Sequence, residues 1–154
     1  MACRLGGDEF LLFCRKQRRI RHEKESNSYL HSLLKKKDED VEMHDVYETY
    51  DAYVSASQSE GFGLTLMEAV GSGLPIIGFD VRYGNQTFID DGENGYRIPI
   101  HDEMDQKEKI ALLADRIVHM LTEDDMEAFS EHSYEKAQAF LTKEVVKRWI
   151  SLLK

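Results

Sequence analysis

Cysteine is nearly missing from this chain and so is proline, with two of each in 154 residues. Cys3 and Cys14 give neither a disulfide framework nor a metal-ligand spacing. Neither has a catalytic partner beside it, so both read as structural residues of a protein in a reducing compartment. Long apolar runs are missing as well. The patch at Phe10 to Phe13 is short, and its basic residues follow it, which is the wrong order for a signal peptide. No stretch approaches the roughly 20 apolar residues that cross a bilayer. Net positive charge is also lacking: 29 Asp/Glu against 20 Lys/Arg leave −9, which argues against nucleic acid or an anionic membrane as a general partner. The expected place is therefore the cytoplasm, without a transmembrane segment; peripheral contact with the inner membrane face is left open.

The charge is divided unevenly. Residues 1–37 carry ten Lys/Arg and four Asp/Glu, while residues 38–154 carry ten and twenty-five. A basic arm can serve nucleic acid. Here no aromatics alternate with the basic residues, which favours a solvated face or a poorly ordered terminus. What is plentiful is apolar content, 42%, enough for one domain with a buried core.

Periodicity and turn residues divide the chain into elements. Residues 8–37 are expected to be helical in part, and "KKKDED" (35–40) is a charged, exposed break. "HDVYETY" (44–50) suits a short helix packing through Val46, Tyr47 and Tyr50. "DAYVSAS" (51–57) has the β-rich core of a short buried strand. "GFGLTLMEAVGSG" (61–73) reads as a loop entering a helix, with Leu66, Met67 and Val70 inward and Gly71 and Gly73 as the stop. "PIIGFD" (75–80) is a second strand opened by Pro75. A helical segment near Gln86 to Ile89, a tight "DGENG" turn and a third strand at Tyr96 to Ile98 should follow. Residues 107–121 form a helix with Ile110, Leu113, Ala114, Ile117 and Leu121 on one stripe. Two further helical segments are expected at 124–140 and 143–153. Strands alternating with helices imply an α/β fold with a parallel sheet.

The stretch from Ser55 to Asp80, "SASQSEGFGLTLMEAVGSGLPIIGFD", carries the chemistry. A strand that ends in a glycine-rich turn and opens a helix is an anion site, because the first-turn N–H groups and the helix dipole favour negative charge. It also falls beyond the carboxyl end of a strand, where ligands of parallel α/β sheets sit. Glu60 and Glu68 stand on either side of that turn. A carboxylate accepts two hydrogen bonds and a vicinal diol donates two. One glutamate can hold a sugar and the other a ribose, with a diphosphate between them. By spacing alone this is one reading beside a plainer one, two solvated glutamates on a helix. The dinucleotide fingerprint fails, since Leu66 stands where its third glycine would be.

The segments "EGFGLTLMEA", "GSGLPIIGFD" and "DGENGYRI" resemble the donor-binding half of family 4 retaining glycosyltransferases of the GT-B fold, over about His44 to Pro99. Within that family the chain is similar to a Gram-positive branch. It includes a subunit that places N-acetylglucosamine on serine-rich adhesins, and enzymes that α-glycosylate teichoic acid. The resemblance implies a Rossmann-like parallel sheet flanked by helices, the C-terminal half of a GT-B enzyme, truncated at its N-terminal side. Residues 44–154 would be the donor-binding domain and residues 1–43 an atypical basic segment, partly helical. It assigns Glu60 to the donor sugar near the anomeric carbon, as the catalytic residue. Gly61, Phe62 and Gly63 would also hold the sugar, Leu64 and Thr65 the phosphate, and Glu68 the ribose. No metal and no cofactor are implied. The donor would be UDP-N-acetylglucosamine or UDP-glucose. The partners would be an acceptor-binding N-terminal half or a partner glycosyltransferase subunit, and a serine-rich protein or teichoic acid acceptor.

Two departures from the family pattern stand out. The Arg and Lys that usually neutralise the diphosphate lie far upstream of the first glutamate, and here 59 residues precede Glu60. Arg4 in "CRLGG" lacks a following Lys and is not assigned that role. "YGNQT" also replaces paired glycines and a glutamate, with Tyr83 and Thr87 as the altered members, as is normal for the Gram-positive branch. Two rival readings stand beside the enzyme: a non-catalytic subunit that stabilises a catalytic partner, and an unrelated nucleotide-binding α/β domain. His44 and His101 read as surface residues, Asp90 and Asp91 as caps of the turn before Gly92, and Tyr47, Tyr50 and Tyr53 as core.

Overall fold

The computed structural model describes residues 2–4 and 10–14 as backbone strands and residues 46–153 in full. The elements are β1 (Ala2–Arg4), β2 (Phe10–Cys14), β3 (Ala52–Ser55), α1 (Leu64–Gly71), β4 (Ile76–Phe79), α2 (Gly84–Phe88), β5 (Gly95–Ile98), α3 (Gln106–Glu123), α4 (Met126–Gln138) and α5 (Thr142–Leu152). One five-stranded sheet has the order β1-β2-β3-β4-β5. Its functional half is parallel: Tyr53 pairs with Ile76 across β3–β4, and Ile77 with Tyr96 across β4–β5. All four residues of β3 and of β4 are buried, which marks strands covered on both faces.

The other half corrects an expectation. Phe10–Cys14 is a strand, not part of a helix, and pairs antiparallel with β3 through Leu12↔Val54 and Phe13↔Tyr53. An apolar patch of five residues is too short for an amphipathic helix. Beside β3 its backbone groups find partners, and that edge of the parallel layer is closed. The rest of residues 8–37, expected to be helical in part, the break at 35–40 and His44 lie outside the described residues.

Alternation along the strands divides the core in two. Tyr53 and Ile76 face one side with Tyr47, Leu66, Ala69, Val70, Leu74, Phe88 and Ile89; Ala52, Val54 and Ile77 face the other with Phe79, Ile98, Leu113 and Met120. Helix α1 covers the first side. Its expected inward residues Leu66 and Val70 are fully buried, Met67 is half-buried, and Ala69 is buried with them. The helix stops where the glycines fall, with Gly73 N–H bonded to Val70 C=O and Leu74 N–H to Ala69 C=O.

Helix α3 covers the second side, rotated from the expected stripe. Leu113 and Met120 are buried and Ile117 and Leu121 pack against them, while Ile110 and Ala114 face solvent. The set 113, 117, 120 and 121 is a narrower 3.6-residue face, chosen by the sheet it meets. Asp105 starts this helix with a capping box, accepting from Lys107 N–H and Glu108 N–H while Glu108 Oε2 accepts from Asp105 N–H. Helix α4 is capped by Asp125 and returns to the first side, where Ser133 Oγ donates to Leu74 C=O at 2.9 Å. Helix α5 buries none of its residues. Among the described residues no helix is long and apolar enough to cross a membrane.

Candidate functional site

The loops after β3 and β4 leave the carboxyl ends of neighbouring parallel strands and are joined there by backbone hydrogen bonds. Glu60 N–H donates to Arg82 C=O at 3.2 Å, and Tyr83 N–H donates to Glu60 C=O at 2.6 Å. Glu60 and Tyr83 thus form an isolated parallel bridge outside the main ladder. Asn85, fully buried, anchors the second loop by donating from Nδ2 to Phe79 C=O at 2.7 Å. The two loops also touch through glycine. A Cβ at Gly84 would stand 3.1 Å from Phe62 O and 3.2 Å from the Gly63 Cα. Gly63 itself has φ of 78°, a left-handed conformation that turns the chain into α1.

No side chain caps α1, and no acidic residue lies in its first turn. The first bond of the helix runs from Met67 N–H to Gly63 C=O, at 3.0 Å. The N–H groups of Leu64, Thr65 and Leu66 therefore have no intrahelical acceptor and point out of the helix end, at the positive pole of its dipole. The missing first-turn carboxylate matters, because one placed there would occupy the same groups that could receive a ligand phosphate.

Glu68 lies on the second turn, exposed. Its Oε2 accepts a hydrogen bond from Tyr47 Oη at 3.0 Å. Tyr47 is only 1% exposed, and its hydroxyl also lies 3.5 Å from Thr65 C=O. Burial, then the hydrogen bond to Glu68 and its negative charge, push the Tyr47 phenol well above its ordinary range. It is thus a fixed donor that orients one oxygen of Glu68 and leaves the other available. The tyrosine set read as core is core, but Tyr47 has this second role. The two residues stand 21 apart in sequence, and no local pattern links them.

Around these groups Phe62 is 55% exposed, its ring edge-on to Phe88 at 5.5 Å, and Phe88 contacts Phe140 at 4.8 Å. Gly61 and Leu64 are exposed, Thr65 and Glu60 half-buried. The structure thus brings Glu60, Gly61, Phe62, Gly63, Leu64, Thr65 and Glu68 onto one loop–helix junction at the carboxyl edge of the sheet. His101 is exposed and outside it. Asp90 and Asp91 shape the 90–95 turn: Asp90 C=O accepts from Glu93 and Asn94, Asp91 Oδ1 accepts from Arg97 N–H, and Lys136 Nζ pairs with Asp90 Oδ2 at 2.6 Å.

A parallel α/β layer with an open helix end at the carboxyl edge of its strands is where such sheets take anionic ligands. The chain belongs to the glycosyl transferases group 1 family, whose model matches residues 16–135. It is 54% identical over 112 residues to the UDP-N-acetylglucosamine–peptide N-acetylglucosaminyltransferase GtfA subunit of Limosilactobacillus reuteri and 50% over 114 residues to that of Streptococcus gordonii. These matches take in 73% and 74% of this chain and 22% of each relative. A poly(ribitol-phosphate) α-N-acetylglucosaminyltransferase of Staphylococcus aureus is 34% identical over 107 residues, 68% of this chain and 20% of that one. Among solved structures, a GtfA/B complex matches with a TM-score of 0.69 and 42% identity over 84% of this chain and 27% of that one. The pneumococcal O-GlcNAc transferase GtfA, in complex with UDP and GlcNAc, matches with 0.64 and 44% over 85% and 27%. The chain thus spans about a fifth of the length of the curated relatives it matches.

Proposed function

We propose that this chain binds the nucleotide-sugar donor of a retaining glycosyltransferase, UDP-N-acetylglucosamine, for transfer to Ser or Thr of a serine-rich protein. One observation carries the reading: Glu60 and Glu68 flank an uncapped helix start, and Tyr47 holds one oxygen of the exposed Glu68. In this reading Glu68 takes the ribose diol, the Leu64 and Thr65 amides the diphosphate, and the Phe62 and Gly63 amides with Glu60 the sugar. Gly61 keeps the approach clear, since nothing lies within 4 Å of a Cβ there. Glu60 stands nearest the anomeric carbon and is the catalytic candidate. The family resemblance implies no metal ion, and in this reading the amide dipoles and the helix end would offset the charge of the diphosphate.

The relatives' names favour a peptide acceptor, with two GtfA subunits at 50% and 54% identity. A teichoic acid acceptor is the second reading, supported by the relative at 34%. An acceptor-binding half or a partner glycosyltransferase subunit would complete the active site; one of the similar solved structures is a GtfA/B complex. A role confined to stabilising such a partner would leave the glutamates without a ligand.

Calorimetric titration with UDP, UDP-glucose and UDP-N-acetylglucosamine tests this. UDP is expected to bind, and Glu68→Ala to weaken it roughly tenfold, the low end for a lost charge-assisted pair at an exposed carboxylate. Glu60→Gln should spare UDP and remove only the extra affinity contributed by the sugar. Equal UDP affinity of the Glu68→Ala and parent chains would remove the ribose assignment. Parallel losses for UDP and UDP-sugar in Glu60→Gln would remove the division of labour.

A further inference from the structure

We propose that Tyr83 is a specificity-determining residue of the donor site, its ring forming the wall on which the pyranosyl ring of the nucleotide sugar packs beside Glu60. The inference rests on the donor reading above and adds a group that the glutamate and amide pattern does not contain. Tyr83 is 69% exposed, one of the most exposed large apolar side chains of the described residues. Its backbone is nevertheless held at three points: its N–H donates to Glu60 C=O, and its C=O accepts from Thr87 N–H at 3.0 Å and Thr87 Oγ1 at 2.8 Å. An exposed aromatic on a fully bonded backbone loses little freedom when a ligand covers it, since only two side-chain torsions remain to be ordered.

Position and chemistry agree. Tyr83 is the bridge partner of Glu60, so the two residues stand side by side where the loops meet. The next residue, Gly84, lies against Phe62 O and the Gly63 Cα, which fixes the second loop beside the first. Phe62 is the other exposed aromatic at this edge, but its ring is already engaged edge-on with Phe88. A pyranosyl ring presents hydroxyls around its rim and C–H groups on its faces. A carboxylate suits the rim, and the face of a phenol suits the C–H groups. Glu68 lies on the second turn of α1, so the ribose and the sugar fall at opposite ends of the diphosphate. Tyr83 therefore meets the sugar alone.

The test is calorimetry on the whole chain with UDP and with UDP-N-acetylglucosamine, reading the ratio of the two dissociation constants. Tyr83→Phe should keep that ratio within about twofold of the parent, since the ring face is retained. Tyr83→Ala and Tyr83→Leu should each lower it by about fivefold while UDP affinity moves less than twofold, in the range measured for aromatic contacts. Retention of the ratio in either variant would overturn the inference. So would equal loss of UDP and UDP-sugar affinity, which would assign Tyr83 to holding the Glu60 loop in place. A parent chain that does not bind UDP fails earlier, on the donor reading itself, and takes this inference with it.

Discussion

Tyr47 shows how one buried side chain can serve packing and chemistry together. Its ring belongs to the core beside Tyr53, at 6.2 Å and 55°, while its hydroxyl holds Glu68. A phenol whose folded pKa lies above the unfolded value favours folding fully below that value, and the contribution is lost as pH rises beyond it. The parent chain should therefore lose thermal stability above about pH 10. Tyr47→Phe, which has no proton to lose, should show a shallower alkaline decline in a series of melting curves. The same variant releases Glu68, so UDP affinity at neutral pH should fall severalfold, as calorimetry would record. Gly84→Ala should also weaken UDP-sugar binding, because the added carbon presses on Phe62 O and the Gly63 Cα and pushes the two loops apart. The glutamates and glycines of the site were legible from their order along the chain. Tyr47 and the Glu60–Tyr83 bridge were not, because each depends on a tertiary contact between segments that carry no shared local signal.

At the scale of elements, burial ranks the helices. Leu66→Ala in α1 removes a fully buried side chain from the first core and should cost about 2–5 kcal/mol in denaturant unfolding. Asp105→Ala removes the α3 capping box and should cost about 1 kcal/mol. Trp149→Ala in α5, by contrast, should stay within about 0.5 kcal/mol of the parent, because that residue is 64% exposed. Punctuation made the parallel layer readable: Pro75 before β4, Gly71 and Gly73 at the end of α1, and the "DGENG" turn leading into β5. Where alternation is absent the sequence misleads. The patch that becomes β2 has only the Gly6–Gly7 pair before it to set it apart from helix, and pairing with β3 decided the matter. The rotation of α3 was equally invisible, since Ala114 and Met120 fit either stripe until a sheet face selects one.

For the molecule as a whole, the covered share of its relatives is the governing quantity. The chain spans 22% of the GtfA subunits it resembles, and the donor site proposed for it lies on one exposed edge. Transfer needs an acceptor held against the anomeric carbon, and positioning of that kind accounts for about 7–11 kcal/mol of a barrier. The chain alone should therefore bind donor without measurable transfer to serine-rich peptide or to teichoic acid. Radiolabelled sugar incorporation measures this directly. Activity should appear when an acceptor-binding half is supplied on the same polypeptide or as a second chain. Sustained turnover by the purified monomer would overturn this expectation.

Helix α5 has a consequence for how all of this can be observed. Trp149 is the one tryptophan of this chain, and it stands exposed on a helix with Val146 and Ile150, also exposed, and with exposed Leu153 just past the helix end. Selective excitation of the indole therefore sees a single, solvent-lit position on α5. Nucleotide arriving at the Glu60–Glu68 edge should leave its emission where it stands in water. A polypeptide that covers α5 should move the emission to the blue and shield it from iodide quenching. Occupancy of the donor edge and coverage of α5 can thus be followed in one cuvette, the first by heat and the second by light.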